Sequence, residues 1–191
     1  MKYLFLILFS FVFFSCELFT TRNAEEPVQP RSNFQPAVEP SILIQNLIYS
    51  FADKNVENYL ACLTDSTHSE KAFSFSPSGG ASAQFPELAD KWGIKNEEQY
   101  FNNVKVRVPV DIPITLSFSG SQENPLGDSL IFTSSYSINI PHNDSDIPMN
   151  YQGELRFHLI RDNTSIWRIY FWQDIKSSDV PSWSELKGRF Y

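Results

Sequence analysis

Two hydrophobic periods, used one after the other, predict an α+β domain in which short N-terminal helices pack on a strongly curved antiparallel sheet of four or more strands, a cone. Apolar residues recur at helical spacing from residue 40 to about residue 63, and at alternate positions from about residue 104 to residue 175. Neither an internal repeat nor a parallel βαβ pattern competes with that order.

Ile44, Leu47, Ile48 and Phe51 stand at i, i+3, i+4 and i+7 behind Pro40, whose missing N–H is harmless in a first helical turn. This helix is expected to end near Lys54. Asn55 is placed to cap a second one, with Val56, Tyr59, Leu60 and Leu63 on its buried side. A brief strand over Phe73–Ser76, a Gly79-Gly80 loop and a helical turn near Glu87–Trp92 follow. Asn96-Glu97-Glu98-Gln99 reads as a capping box that opens a short helix through Tyr100 and Phe101. From Val104 the alternation Val104, Val106, Val108, Val110, Ile112, Ile114, Leu116 and Phe118 predicts a strand ending near Ser119, bent or at an edge because of Pro109 and Pro113. Further strands are expected over Leu130–Ile140, Met149–Ile160 and Ser165–Ile175, with a tight turn at Asp162-Asn163-Thr164. In that register Leu130, Phe132, Tyr136, Tyr151, Leu155, Phe157, Trp167, Ile169 and Phe171 face inward.

Ahead of the domain, Lys2 precedes an apolar run from Tyr3 to Phe14 that stops at Ser15-Cys16. Twelve helical residues rise roughly 18 Å, short of a hydrocarbon core of about 30 Å, so the pattern is that of an export signal over residues 1–15 and not of a membrane span. Phe13-Phe14-Ser15-Cys16 resembles the lipobox of bacterial lipoproteins, in which the cysteine after a small residue is lipidated. Ser15 and Cys16 match; Phe13 and Phe14 are bulkier than the usual pattern. The resemblance implies lipid attachment at Cys16, membrane association through that lipid, and a place in the bacterial cell envelope, at the outer membrane. Residues 16–40 carry Pro27, Pro30, Pro36 and Pro40 among polar residues and read as a tether, which leaves residues 41–191 as the folded domain.

Charge and cysteine content exclude several functions. Loss of residues 1–15 removes one cation, Lys2, and takes the formal charge from −7 to −8. An acidic chain without a basic run is repelled by phosphate backbones, so nucleic acid is not an expected partner. With Cys16 lipidated, Cys62 has no cysteine to pair with, and its apolar neighbours Tyr59, Leu60 and Leu63 predict a buried, inert thiol. His68, His142 and His158 show no metal-ligand spacing, and the Asn143-Asp144-Ser145-Asp146 turn lacks the glycine and terminal glutamate of a calcium loop. No metal or cofactor is expected.

The order of elements resembles the nuclear transport factor 2-like superfamily, whose cone is also used by ketosteroid isomerase and scytalone dehydratase. Residues Phe51–Leu60 look like its opening helix pair and Trp167–Asp174 like its last strand; the closing Pro181–Gly188 is similar to tails of envelope lipoproteins of that superfamily and implies no activity. Similar enzymes place a carboxylate and a hydrogen-bond donor inside the cone. The register above puts no Asp, Glu or His there, only Ser134, Tyr136, Tyr151 and Gln173. Ser134, Tyr136, Tyr151 and Trp167 are therefore the expected lining of a pocket for a small apolar ligand. On the outer face, Arg156 is expected opposite Tyr170 and Glu154 opposite Trp172, an aromatic and charged patch suited to a homodimer or an envelope protein partner. The resulting expectation is a non-catalytic ligand-binding or protein-docking module; the alternative is an isomerase, dehydratase or hydrolase with a base such as Asp53, Asp65 or Asp90 supplied by a helix or loop.

Replacement of Cys16 by serine is expected to move the protein from the membrane fraction to the soluble fraction of its native host, while intact-mass analysis of the unsubstituted protein should show a lipid on Cys16. An unmodified or uncleaved mature N-terminus contradicts the lipobox reading.

Overall fold

A computed structural model describes residues 33–191. Residues 1–32, on which the expected signal segment, Cys16 and most of the expected tether fall, lie outside the described residues. The elements are α1 (Pro40–Ala52), α2 (Val56–Ala61), β1 (Ser74–Ser76), α3 (Ala81–Gln84), a 3-10 turn (Pro86–Leu88), α4 (Ile94–Arg107), β2 (Thr115–Leu126), β3 (Ser129–Asn139), β4 (Asn150–Arg161), β5 (Trp167–Ile175) and α5 (Trp183–Phe190). Their strands form one curled sheet in the order β1-β5-β4-β3-β2. Helices cover its inner face.

Local signals account for the first elements. Pro40 opens α1, and the Asn55 side chain accepts the Asn58 N–H at 3.0 Å to cap α2. Chain ahead of α1 is already packed: Gln35 N–H donates to Asn46 Oδ1 at 3.0 Å, and Ala37 O accepts the Trp167 N–H at 2.8 Å. The folded domain thus begins near Phe34, ahead of the boundary at residue 41.

Four register and boundary features depart from the sequence reading. First, α4 runs on through Val104 to Arg107, where a strand was expected. Glu97, Tyr100, Phe101, Val104 and Val108 form one buried stripe at helical spacing, whereas Val106 and Val110 are 78% and 94% exposed. The valine alternation fits both periods, and the aromatic positions before it decide for the helix. Pro109 ends it, since the residue before a proline avoids helical backbone. The loop that follows wraps the Lys54 ammonium, which donates to Pro109 O, Val110 O and Ile112 O at 2.7, 2.9 and 2.6 Å. The N-terminus of α4 is also shifted: Asn96 sits inside the helix and its Oδ1 accepts the Gly93 N–H at 3.0 Å.

Second, β2 continues past Ser119 through a bulge between Ser119 and Gln122 to Leu126, and Gly127, at φ +61, makes the turn into β3. Third, β1 pairs with β5 in parallel, so the sheet is antiparallel only across its four long strands. A three-residue strand reached through a helical segment has no hairpin to force the antiparallel sense. Fourth, the helical turn expected over Glu87–Trp92 lies earlier, over Ala81–Leu88.

A further departure has the largest effect on the interior. β4 and β5 slip by one residue at Tyr170: Leu159 pairs with Ile169 but His158 pairs with Phe171. Beyond this bulge the alternation inverts, so Trp172 and Asp174 face inward and Phe171 and Gln173 outward. The β4–β5 turn itself is fixed by Asp162, whose carboxylate accepts from Thr164 N at 2.8 Å, Ile166 N at 3.0 Å and Arg168 Nε at 2.6 Å.

The core is aromatic and continuous. Phe132 stacks on Phe157, Phe157 meets Trp172 edge-on at 5.0 Å, Trp172 meets Trp183 at 4.4 Å, and Trp183 meets Phe51 at 5.4 Å. Sheet, α5 and α1 are joined through these rings. Leu116, Phe132, Phe157, Ile169, Ile44, Leu47 and Phe51 belong to the one buried cluster, as the inward register on β3 and β4 predicts. Phe157, at 0% exposure, sits at the centre of it. Its replacement by alanine is expected to lower stability by about 3 to 5 kcal/mol in chemical denaturation; a loss below about 1 kcal/mol contradicts this packing.

Candidate functional site

Inside the cone the bulge at Tyr170 brings one carboxylate, Asp174, to a position where the sequence register put none. Tyr136 Oη donates to Asp174 Oδ1 at 2.6 Å, and Ser184 donates to Asp174 Oδ2 through its N–H at 2.8 Å and its hydroxyl at 2.5 Å. Tyr136 Oη in turn accepts the Trp183 N–H at 2.7 Å. These two N–H groups belong to the first turn of α5, where unpaired backbone donors and the helix dipole favour an anion. Asp174 and Tyr136 are thus the seat of a helix. Gly153 makes room for it: a Cβ there would lie 2.7 Å from both Tyr136 Oη and Ile175 O.

α5 completes its own start with a capping box, in which Glu185 Oε2 accepts the Ser182 N–H at 2.7 Å, and Lys176 Nζ lies 3.0 Å from the same carboxylate. Trp183, Leu186 and Phe190 then fill the interior at i, i+3 and i+7. Gly188 faces the Phe85 ring so closely that a Cβ would fall 2.2 Å from Phe85 Cγ.

Lys187 lies on this same apolar stripe, fully buried, and forms an ion pair with the equally buried Glu97 of α4. Glu97 also accepts from Trp92 Nε1 at 2.8 Å and from Tyr59 Oη at 2.6 Å. The ammonium is surrounded by rings, with centroids at 4.0 Å for Trp172, 4.4 Å for Phe75, 5.1 Å for Tyr100 and 5.7 Å for Trp92. Burial pulls the Lys187 ammonium down to about 8, with Glu97 opposing that pull. Burial and the Glu97 charge hold the Tyr59 and Tyr100 phenols well above their ordinary range, so neither serves as a base at neutral pH.

The expected pocket residues do not converge on one point. Tyr136 is committed to Asp174 and α5, and Ser134 Oγ to Ser119 O and Ser121 Oγ, each at 3.0 Å. Tyr151 is buried on the diagonal from Tyr136, and burial raises its phenol to about 12. Trp167 lies at the far end of β5, with the Arg161 guanidinium 5.1 Å from its ring. Trp183, Leu186 and Phe190 of α5 are buried in the same core cluster as Tyr136, Tyr151 and Trp167. Asp53 and Asp90 are exposed, and Asp65 is half-buried in a surface turn, held down to about 2 by its hydrogen bonds to Thr67 and His68. None of the three reaches the interior.

On the outer face Glu154 and Arg156 are exposed, but they pair with Ile175 and Gln173. Trp172, expected beside them, is fully buried; the bulge exchanges it for Phe171, which stands outward with its ring 5.1 Å from that of His158. Tyr170 remains on this face, at the bulge, with the Lys71 ammonium 4.3 Å above it. A polar groove of about 370 Å³ crosses the outer face among Gly120, Gln122, Thr133, Ser135, Glu154 and Arg156.

Sequence reasoning misses Glu97, Lys187, Asp174 and Trp92. A signal for two of them exists: Glu97 stands on the apolar stripe of α4 and Lys187 on that of α5, and opposite charges on two buried stripes imply a pair. Asp174 carries no such signal, because only the bulge turns it inward.

The unfolded chain keeps an ordinary lysine near 10.5, so it holds more protons than the folded protein between about pH 8 and 10.5. Stability from this group therefore rises as pH rises through that window. Relative to a Lys187→Met variant, the wild-type melting temperature is expected to gain on going from pH 7 to pH 9.5; a constant difference contradicts the buried ammonium.

No family model matches the chain, and no curated protein sequence matches it significantly. Solved structures do. A protein of the nuclear transport factor 2-like family from Streptomyces avermitilis, provisionally described as a dehydratase, superposes with a TM-score of 0.56 at 8% identity, over 74% of this chain and 96% of that one. A nuclear transport factor 2-like superfamily protein from Salmonella enterica serovar Typhimurium gives 0.52 at 12% identity, over 73% and 87%. A Nostoc punctiforme protein of unknown function with a cystatin-like fold gives 0.50 at 13% identity, over 75% and 92%. The domain therefore has the α+β cone fold of nuclear transport factor 2-like, or cystatin-like, proteins.

Proposed function

We propose that the protein is a lipid-anchored module of the bacterial cell envelope, held at the outer membrane through Cys16, that works by docking a protein partner on the outer face of its sheet and not by catalysis inside the cone. The observation that carries this reading is the occupancy of the interior. Trp183, Leu186, Lys187 and Phe190 of α5 are buried in the interior, and Asp174 and Glu97 accept their hydrogen bonds from groups of the same chain. A general base needs a lone pair directed at a substrate proton. Asp174 and Glu97 instead hold elements together.

The outer face offers what a docking surface needs. Tyr170 and Phe171 supply apolar area, Glu154 and Arg156 supply exposed charge of both signs, and the groove beside them gives relief. A photoreactive side chain placed at Arg156 is expected to give a discrete cross-linked species in intact native cells, and the same group at Asn124, near the tip of the β2–β3 hairpin, to give none. Absence of a species specific to position 156 contradicts the docking face.

A further inference from the structure

We propose that the inner end of the cone is a binding site for an alkylammonium group, and that Lys187, delivered by α5, is its built-in occupant. The site and its occupant come from different elements. Phe75 of β1, Trp92 before α4, Tyr100 of α4 and Trp172 of β5 supply four rings, all with centroids within 6 Å of the ammonium. Glu97 supplies the counter-charge, and its orientation does not depend on the lysine, because Trp92 Nε1 and Tyr59 Oη donate to its two oxygens at 2.8 and 2.6 Å. A lysine stabilised only by an ion pair needs no such enclosure.

The donor arrangement narrows the ligand class. An ammonium has three N–H donors. Among the hydrogen bonds of the described residues, the Lys187 ammonium reaches one acceptor, a Glu97 oxygen; four rings surround it, and the Asp174 carboxylate acts on it without a hydrogen bond. That environment rewards a cation with an apolar surround and asks for one hydrogen bond, which suits alkylammonium ions over hydrated metal cations or guanidinium groups. α5 itself hangs on the exposed segment Lys176–Asp179, so the occupant arrives on an element separate from the cage. Held within the same chain, and backed by the burial of Trp183, Leu186 and Phe190, Lys187 excludes free amines from the wild-type protein.

Lys187→Ala removes four heavy atoms, the size of propylammonium, and leaves the cage in place. At pH 7 calorimetry should show that this variant binds propylammonium at least about tenfold more tightly than neutral 1-propanol, that adding Glu97→Gln removes the preference, and that the wild type binds neither. Equal affinities in folded Lys187→Ala, or no binding, overturn the site; binding of propylammonium by the wild type at the same concentration overturns Lys187 as its occupant. Should Lys187→Ala be unfolded, recovery of its circular dichroism in propylammonium but not in propanol supports the site. Failing recovery, Lys187→Met, which vacates only the ammonium position, decides it: a melting temperature higher in ammonium chloride than in sodium chloride of equal ionic strength supports the site, and equal values overturn it.

Discussion

Taking an ammonium and a carboxylate out of water costs several kcal/mol for each ion even after the protein relaxes, and their attraction offsets that cost only when the geometry is good and the remaining lone pairs are satisfied. Glu97 and Lys187 meet those conditions through Tyr59 of α2, Trp92 and four ring faces. The consequence is positional. A turn of about 100° about the axis of α5, one residue of register, would carry Lys187 off Glu97 and leave two buried charges unpaired, at a cost of about 3 to 5 kcal/mol. The ion pair thereby fixes the rotation of α5, and with it which of its residues fill the cone. Apolar packing of Trp183, Leu186 and Phe190 supplies affinity for the interior but tolerates small rotations far better.

The pair depends on an event elsewhere in the chain. α5 reaches Glu97 only because its first turn is held by Asp174 and Tyr136, and Asp174 faces inward only because of the single extra residue at Tyr170. Without the bulge, Gln173 would take the inward place, and a neutral amide offers the helix dipole less than a carboxylate does. Gly153 is the third member of this arrangement. It sits across from Tyr136 in the β3–β4 register, and its missing side chain lets the phenol pass over β4 to the helix. Strand register, one glycine and one helix terminus act together.

Much of this was legible in the sequence, for reasons that can be stated residue by residue. Helices α1 and α2 follow from Ile44, Leu47 and Phe51 and from the Asn55 cap, because local pattern and local hydrogen bonds agree there. Strands β3 and β4 follow from an alternation that no other period fits. The start of β2 is ambiguous in the sequence because Val104 and Val108 satisfy a helix and a strand alike, and the deciding contacts, those of Phe101 with Phe51 and Tyr59, are distant in sequence. The site was less legible than the fold. A β-bulge leaves no compositional mark at Tyr170, yet it exchanges Trp172 for Phe171 and introduces Asp174, so the expected outer patch and the expected carboxylate-free interior failed together for one reason. α5 gives a weak signal because its eight residues include Ser184, Lys187 and Gly188, which lower helix propensity or polarity contrast; it is packing and not propensity that makes it a helix.

Curvature links the two faces of the sheet. A bulge adds a residue to one strand and bends it, so the sheet closes around whatever lies on its concave side and opens grooves on the other. The bulge at Ser119/Gln122 brings Gly120 and Gln122 to the wall of the outer groove, while the bulge at Tyr170 closes the inside over Trp172. Strands curved this tightly, around a volume already occupied by α5, leave the outer face as the surface where side chains of both charges stand exposed beside aromatic rings. A fold of this kind leaves function to be decided by its sites. In this chain an eight-residue helix, α5, places Trp183, Leu186, Lys187 and Phe190 in the interior, and the ion pair of Lys187 with Glu97 ties it to α4.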